Sequence, residues 1–144
     1  MKKRLENLSL DEAAKMHGHK GPWLVLGYKA GLRACELLEP DDEMSLYCIA
    51  YIPLKTPYTC TLDGIQASAH CTLGKMNIEV RNAKDHNNIL FIFINRKTGK
   101  KLELRLKPEV AKWIEKMKRV SMREAAKRVE EERLCNLFEE KLYD

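Results

Sequence analysis

Long apolar runs are absent from this sequence of 144 residues, and histidines and aromatic residues are few. No run of about 18 apolar residues occurs, so no membrane-spanning helix is predicted. Residues 1–6 are basic, but the segment after them is amphipathic and lacks the apolar core of a signal peptide, so we expect a cytoplasmic protein. The five cysteines form no paired framework, which favours reduced thiols over a disulfide scaffold.

Enough apolar material is present for one domain with a core of its own. Hydrophobic residues make up 44% of the chain, which argues against intrinsic disorder. Charged residues reach 33%, mainly lysine, arginine and glutamate, which favours a thermophilic source. Residues 107–128 hold eight Lys and Arg against three Asp and Glu. We interpret this segment as a solvated helical face; a nucleic-acid surface is the disfavoured alternative, because interleaved aromatic residues are lacking.

Hydrophobic periodicity predicts an α+β fold, an antiparallel sheet with packed helices. Helices are predicted at 9–16, 22–38, 63–69, 108–119 and 122–142, and strands at 44–52, 76–80, 89–94 and 101–106. The strand at 89–94 is the most apolar and is expected near the sheet centre. Gly27 and Gly31, four residues apart in one helix, indicate close helix packing. Residues 1–107 are predicted to form the core, and residues 108–144 a C-terminal helical extension packed on it or on a partner subunit, in a single domain overall.

Two short segments concentrate the residues that carry chemistry. The first is His17-Gly18-His19-Lys20-Gly21-Pro22 and the second runs from Cys60 to Asn77; together they hold three of the four histidines and two of the five cysteines. Imidazole and thiolate bind borderline and soft metals and act as acids, bases and nucleophiles near neutral pH. His17 and His19 are two residues apart, so in extended backbone both rings can face one point.

Cys60 and Cys71 cannot bind the same metal ion if one straight helix joins them. Eleven helical residues at about 1.5 Å each separate the thiols by about 16 Å, whereas thiolates on one zinc ion lie within about 4 Å of each other. Three alternatives remain: the helix ends fold back, one cysteine joins the histidines alone, or two subunits bring the cysteines together. We favour Cys60 with the histidines and Cys71 at the pocket rim; burial of both as small apolar residues stays open.

These segments resemble the FmdE family of formylmethanofuran dehydrogenase proteins. The resemblance covers about residues 9–107 and includes the His-Gly-His segment, the helix Leu26-Gly27-Tyr28-Lys29-Ala30-Gly31 and the later segment 93–100. In the second segment, the residues that match the family pattern are Cys60, Asp63, Gln66, Cys71, Thr72, Gly74, Lys75 and Asn77. Three positions depart from the pattern: the family has cysteine at Gly21, glycine at Trp23 and a small residue at His70.

The resemblance implies an FmdE-like core with a metal site, and the expected metal is zinc or another divalent transition metal. The implied ligands are His17, His19 and Cys60, with Cys71 or His70 as alternative further ligands. The candidate catalytic residues are Cys71 and Asp63, the latter also a residue that could orient a histidine. The candidate ligand-binding residues are Lys75, Asn77 and Gln66. Cys35, Cys48 and Cys135 lie in apolar periodicity and are predicted to be core residues.

Relatives accompany the molybdenum or tungsten enzyme that reduces carbon dioxide onto methanofuran, and its subunits are expected partners. This chain carries no molybdopterin or iron–sulfur motif, so we expect an accessory subunit or a small metalloenzyme of one-carbon metabolism, without the zinc finger of some relatives. The alternatives are a non-catalytic metal-sensing or accessory protein and a basic nucleic-acid-binding module. A homodimer is predicted, because relatives are expected to form intertwined dimers and the predicted final helix presents Val129, Leu134, Leu137, Phe138 and Leu142.

Overall fold

The computed structural model describes residues 5–144 and confirms an α+β fold with a five-stranded, mostly antiparallel sheet. The first four residues of the basic N-terminal segment lie outside the described residues. The elements in chain order are α1 (Leu10–His17), α2 (Pro22–Leu38), β1 (Leu46–Ile52), α3 (Cys60–Ala69), β2 (Ile78–Asn82), β3 (Leu90–Asn95), β4 (Lys101–Leu106), α4 (Pro108–Val120), α5 (Met122–Glu131), α6 (Leu134–Leu137) and β5 (Phe138–Tyr143).

Local signals explain where the first two helices begin and end. The Ser9 hydroxyl accepts a hydrogen bond from the backbone N–H of Glu12, and the Glu12 carboxylate accepts one from the backbone N–H of Ser9, so both halves of a capping box are present. Gly18 caps the end of α1 with a φ of 117°, a left-handed conformation that favours glycine. Pro22 then begins α2. Proline lacks a backbone N–H, which costs nothing in the first turn, because the N–H groups there have no acceptor within the helix. The histidine segment is thereby confined to a tight connection.

α2 and α3 pack so closely that glycine is needed at their contact. A Cβ atom at Gly27 would lie 1.9 Å from the carbonyl oxygen of Thr61, and one at Gly64 would lie 2.2 Å from the carbonyl oxygen of Leu24. Both obstacles are backbone atoms, which no side-chain rotation can move aside. Close helix packing is therefore confirmed for Gly27, and this contact holds the start of α2 against the start of α3.

The sheet has the strand order β2-β1-β3-β4-β5, so the apolar strand β3 lies at its centre as predicted. β1, β3, β4 and β5 pair in an antiparallel manner. β1 and β2 are parallel, which corrects the expectation of an entirely antiparallel sheet. The reason is the connection: α3 carries the chain back along the sheet before β2 begins, and a helical crossover joins parallel strands.

One face of the sheet forms the core. Alternate side chains of β1, β3 and β4 are buried, and Phe91, Phe93 and Leu104 join α2 residues such as Leu26 in one apolar cluster. The opposite face of these strands is only half-buried. Within residues 5–144, no helix has the length and apolar character needed to cross a membrane.

The end of the chain folds differently from the prediction. The predicted helix 122–142 is wrong: α5 ends at Glu131, the short α6 follows, and β5 pairs with the edge of β4. Residues 108–144 are therefore not all helical. The unpaired edge of β4 offers backbone hydrogen bonds that outweigh a local helical preference. Val129, Leu137 and Phe138 are buried in the core of their own chain, so the apolar face on which the dimer prediction rested is largely covered.

Candidate metal site

The predicted histidine segment and Cys60 meet at one place. His17 is the last residue of α1, His19 follows the reversal at Gly18, and Cys60 is the first residue of α3. The centroids of the two imidazole rings lie 5.0 Å apart. The three side chains line a cavity of about 20 Å³, which is enough room for one water molecule. The remaining lining comes from Gly21, Pro22, Trp23, Leu24, Pro57, Lys118 and Met122.

A chain of hydrogen bonds orients His17. Its Nδ1 lies 2.6 Å from Oδ2 of Asp63, and Oδ1 of Asp63 accepts a hydrogen bond from Nε2 of Gln66 at 3.1 Å. Gln66 Oε1 in turn accepts a bond from the backbone N–H of Leu73 at 3.1 Å. Cys60, Asp63 and Gln66 are spaced by three residues along α3, so they share one face of the helix.

Two polar atoms at the cavity have no hydrogen-bond partner. Nε2 of His17 and Nε1 of Trp23 are both buried and unpaired in the described chain. Trp23 is 1% exposed and its ring meets Tyr58 edge-on, with centroids 4.9 Å apart. A neutral imidazole that donates from Nδ1 to Asp63 presents a lone pair at Nε2. With His17 in that tautomer, the cavity combines a buried acceptor on His17 with a buried donor on Trp23.

The thiol of Cys60 is half-buried at the edge of this cavity. Burial raises the pKa of Cys60 first, and the Asp63 carboxylate raises it further, while the Lys118 ammonium opposes both. The apo thiol is therefore protonated at neutral pH, and a thiolate would have to form when a cation binds. Lys118 comes from α4 and pairs only loosely with Glu115, at 3.9 Å.

A side chain at position 21 would lie against His19 and Met122. A Cβ atom at Gly21 would lie 3.1 Å from Nε2 of His19 and 3.7 Å from Sδ of Met122. A side chain at this position would therefore contact the His19 ring from its first carbon atom onward. In this chain Met122, the first residue of α5, supplies a sulfur atom beside that point.

The donor set fits a borderline or soft metal ion in its chemistry. As the side chains stand, no group of three His, Cys, Asp or Glu residues within 5–144 is arranged to hold an ion. His19 is exposed, so packing does not fix its side chain, whereas Cys60 is half-buried and packs against the core. The unpaired Nε2 of His17 is already fixed by Asp63. In their present positions these residues therefore do not form a metal site, and three donors would meet only if His19 and Cys60 turned towards the Nε2 of His17.

The structure places Cys71 away from the cavity. The predicted position at the pocket rim is wrong, because Cys71 is fully buried in the core and its thiol contacts the carbonyl oxygen of Leu46. Burial raises the pKa of Cys71 to about 12, so the thiolate is strongly disfavoured. His70 ends α3 in a left-handed conformation, and its Nε2 contacts the carbonyl oxygen of Glu6. The catalytic role of Cys71 and the ligand role of His70 or Cys71 stay predictions.

The predicted ligand-binding residues support the loop after α3. Asn77 is buried; its Oδ1 accepts a hydrogen bond from Thr72 N–H at 2.7 Å and its amide donates to the carbonyl oxygens of Glu43 and His70. The ammonium of Lys75 donates to Oγ1 of Thr72 at 2.7 Å. Neither residue lines the cavity at His17. Ligand binding by Lys75, Asn77 and Gln66 stays a prediction, and each already has a structural contact.

The other cysteines follow the sequence prediction in part. Cys48 is buried and Cys35 packs half-buried against the core, as expected. Cys135 is exposed, so its predicted core position is wrong; the short helix α6 turns it outward while Leu137 turns inward. A larger cleft of about 560 Å³ is lined by Cys35, His70 and several acidic residues, and it is separate from the His17 cavity.

Sequence reasoning missed Lys118 and Met122 altogether. Both reach the cavity from α4 and α5, about a hundred residues after the histidine segment. Neither belongs to a motif, so no local signal could have selected them. Trp23 was visible only as a departure from the family pattern.

The family comparison covers nearly the whole chain. The FmdE family model, described as "FmdE, Molybdenum formylmethanofuran dehydrogenase operon", matches residues 16–143. No curated protein matches the chain. The matched range contains the complete candidate site and extends beyond the predicted core through α4, α5 and β5. This chain belongs to the FmdE family.

Proposed function

We propose that this FmdE-family protein binds one divalent transition-metal ion per subunit through His17, His19 and Cys60, with zinc as the expected metal. The family description refers to the operon of molybdenum formylmethanofuran dehydrogenase, which supports a role beside that enzyme. The protein would act in the cytoplasm as an accessory subunit or a small metalloenzyme of one-carbon metabolism. Subunits of the molybdenum or tungsten enzyme are the partners proposed for it.

The observation that carries this proposal is the state of His17. Its Nδ1 contacts a carboxylate while its buried Nε2 has no partner. Zinc-binding histidines commonly donate their other N–H to a carboxylate, which fixes the ring and increases its basicity. A buried polar atom without a partner costs about 1–3 kcal/mol, and a cation at Nε2 would remove that cost.

Three protein ligands would leave one coordination position open, as in catalytic zinc sites. A bound ion of this kind polarises carbonyl groups and lowers the pKa of water. The protein's own residues would do the positioning. Asp63 holds the imidazole of His17, the buried Trp23 presents an indole N–H, and Lys118 adds positive charge that favours an anionic ligand.

Elemental analysis of protein purified without chelator, and then offered zinc, nickel and cobalt in turn, tests the proposal. We expect close to one equivalent of metal in the wild type. Cys60→Ser and His19→Ala should each lower the metal content sharply, because each removes a donor. Asp63→Asn should weaken binding by about tenfold or more, because the carboxylate that orients His17 is lost.

The exposed thiol provides a matched control. Cys135→Ser should bind metal like the wild type, since Cys135 lies outside the cavity. If the wild type retains less than about a tenth of an equivalent of every metal, the metal proposal fails. The cavity would then serve a non-catalytic accessory function without metal.

The homodimer remains part of the proposal, on a different surface from the one first expected. The outer face of β1 and β3 is apolar and half-buried, and it consists of Tyr47, Ile49, Tyr51, Leu90, Ile92 and Ile94. Both flanks carry a glutamate and an arginine, Glu79 and Arg81 on β2 and Glu103 and Arg105 on β4. A two-fold axis could therefore set each charge against an opposite charge, which supports a second copy of this chain as the occupant.

Light scattering at micromolar concentration tests the dimer. The wild type should have twice the monomer mass, and Ile92→Glu should have the monomer mass, because a charge would enter the centre of this face. Val120→Glu is the control, since Val120 is 89% exposed in the α4–α5 corner and should leave the dimer intact. A monomeric wild type would refute the dimer without affecting the metal proposal.

A further inference from the structure

The two buried polar atoms of the His17 cavity require partners of opposite kind. Trp23 is 1% exposed, and its indole Nε1–H, which can only donate, has no acceptor among the described residues. The side chain of His17 is 12% exposed, and its Nε2 also has no partner there. The Asp63 carboxylate accepts from Nδ1 of His17, so the neutral imidazole ring leaves a lone pair at Nε2. The cavity therefore lacks one hydrogen-bond acceptor for Trp23 and one donor for His17.

A single hydroxyl oxygen can meet both requirements. The cavity of about 20 Å³ has room for one water-sized group. A hydroxyl group donates one hydrogen bond and accepts others, so it can donate to Nε2 of His17 while it accepts from Nε1 of Trp23. A carboxylate oxygen can only accept, and an ammonium group can only donate, so neither would satisfy both atoms. The size and polarity of the cavity thus suit the hydroxyl group of a ligand or a water molecule.

Lys118 favours a ligand over a water molecule. Its side chain lines the same cavity and is 18% exposed, and its ion pair with Glu115 is 3.9 Å long, which is beyond hydrogen-bond distance. Among the described residues that line the cavity, none is aspartate or glutamate. Water would leave the positive charge of Lys118 without a counter-charge, whereas an anionic group attached next to the hydroxyl would supply one.

We infer that the cavity binds a small 2-hydroxy carboxylate, with its hydroxyl between His17 and Trp23 and its carboxylate at Lys118. The inference rests on the proposed function in taking this cavity as the functional site, and it names the class of ligand that the site accepts. It does not require a metal ion, because the three contacts come from side chains in their present positions. An ion at Nε2 of His17 would compete only for the contact that the hydroxyl makes with that atom.

The chain has two tryptophans, so one can report binding while the other serves as the reference. Trp113 lies on α4 outside the cavity, and its ring packs against the guanidinium of Arg128 at 4.1 Å. Glycolate is added to full-length protein that is labelled with nitrogen-15 and freed of metal by a chelator, and NMR follows both indole N–H signals. The Trp23 signal should move and the Trp113 signal should stay in place.

Two matched probes separate the hydroxyl from the charge. Acetate lacks the hydroxyl group, and glycolamide lacks the negative charge. Each should bind at least about tenfold more weakly than glycolate, because each leaves polar groups of the site without a partner.

Variants on α4 test the role of Lys118. Lys118→Met should weaken glycolate binding by about tenfold or more, because it removes the charge and keeps the length of the side chain. Lys116→Met is the matched control: Lys116 is exposed on the same helix and lies outside the cavity, so the affinity should change by less than about twofold. The Tm of each variant verifies folding, and the comparison of the three probes on the wild type needs no variant.

Three results would overturn the inference. Acetate that binds as tightly as glycolate would show that the hydroxyl is not recognised, and glycolamide that does so would show that the charge is not. If no probe moves the Trp23 signal, water alone fills the cavity. Metal content is measured on the same preparation before the chelator is added. Glycolate binding without retained metal would support this inference and refute the metal proposal, and retained metal without glycolate binding would do the reverse.

Discussion

The contact between α2 and α3 supports the whole candidate site, and replacing Gly27 with alanine tests it. The added Cβ would lie 1.9 Å from the carbonyl oxygen of Thr61, whereas distances under 3.0 Å are essentially never observed, so one helix must move by about 1 Å or more. Overpacking of this kind costs about 1–3 kcal/mol, and a backbone obstacle favours the upper end of that range. Alanine gains about 1 kcal/mol over glycine inside a helix. The net loss in the free energy of unfolding should be about 2 kcal/mol.

For a chain of this size, that loss corresponds to a fall in Tm of about 6 °C, measurable by circular dichroism. Metal retention should fall as well, because Cys60 and Asp63 move with α3 while Gly21 and Trp23 move with α2. Gly74→Ala is the control: no heavy atom lies within 4 Å of its added Cβ, so Tm should change by less than about 1 °C. A Gly27→Ala protein as stable as the wild type, or more stable, would refute the account of this helix contact.

Three further predictions concern residues outside the cavity. Lys75→Ala should leave Tm nearly unchanged, because it removes one hydrogen bond at a half-buried position; a fall of more than about 5 °C would mean that Lys75 is a structural residue. Cys135 is exposed and should be the fastest thiol to react with Ellman's reagent in the native protein. Cys71 should react only after unfolding, because burial raises the pKa of Cys71 to about 12. A rapid phase that survives in Cys135→Ser would contradict the assignment of that phase to Cys135. The Lys97 ammonium lowers the pKa of Asp42 to about 2, so the stabilisation from the Asp42–Lys97 ion pair is present above the ordinary pKa of 3.8 and is lost as the pH falls towards 2. The Tm difference between the wild type and Asp42→Asn at neutral pH should therefore vanish near pH 2. A difference that persists at pH 2 would show that the charge of Asp42 is not its cause.

The sequence by itself determined the elements whose signals are local. The capping box at Ser9, the proline that begins α2 and the alternation along β4 each depend on residues within one or two turns, and the structure has all three. The predicted helix at 63–69 excluded Cys60, and only the structure, in which α3 begins at Cys60, shows that Cys60, Asp63 and Gln66 share a helix face. The resemblance to the FmdE family, confirmed by the family match, added the expectation that His17, His19 and Cys60 belong together.

Tertiary structure decided everything that depends on contacts between distant parts of the chain. The sequence pattern at 134–142 predicted a helix, but residues 138–143 pair with the edge of β4 as a strand. The backbone hydrogen bonds of this pairing outweigh the local helix propensity. Cys71 follows directly after the end of α3, and only the left-handed turn at His70 directs its thiol into the core. Met122 borders the cavity because α5 packs against α2, a contact that joins residues about a hundred positions apart. Periodicity and motif spacing report only which face a residue occupies, whereas the packing of whole elements selects which faces meet.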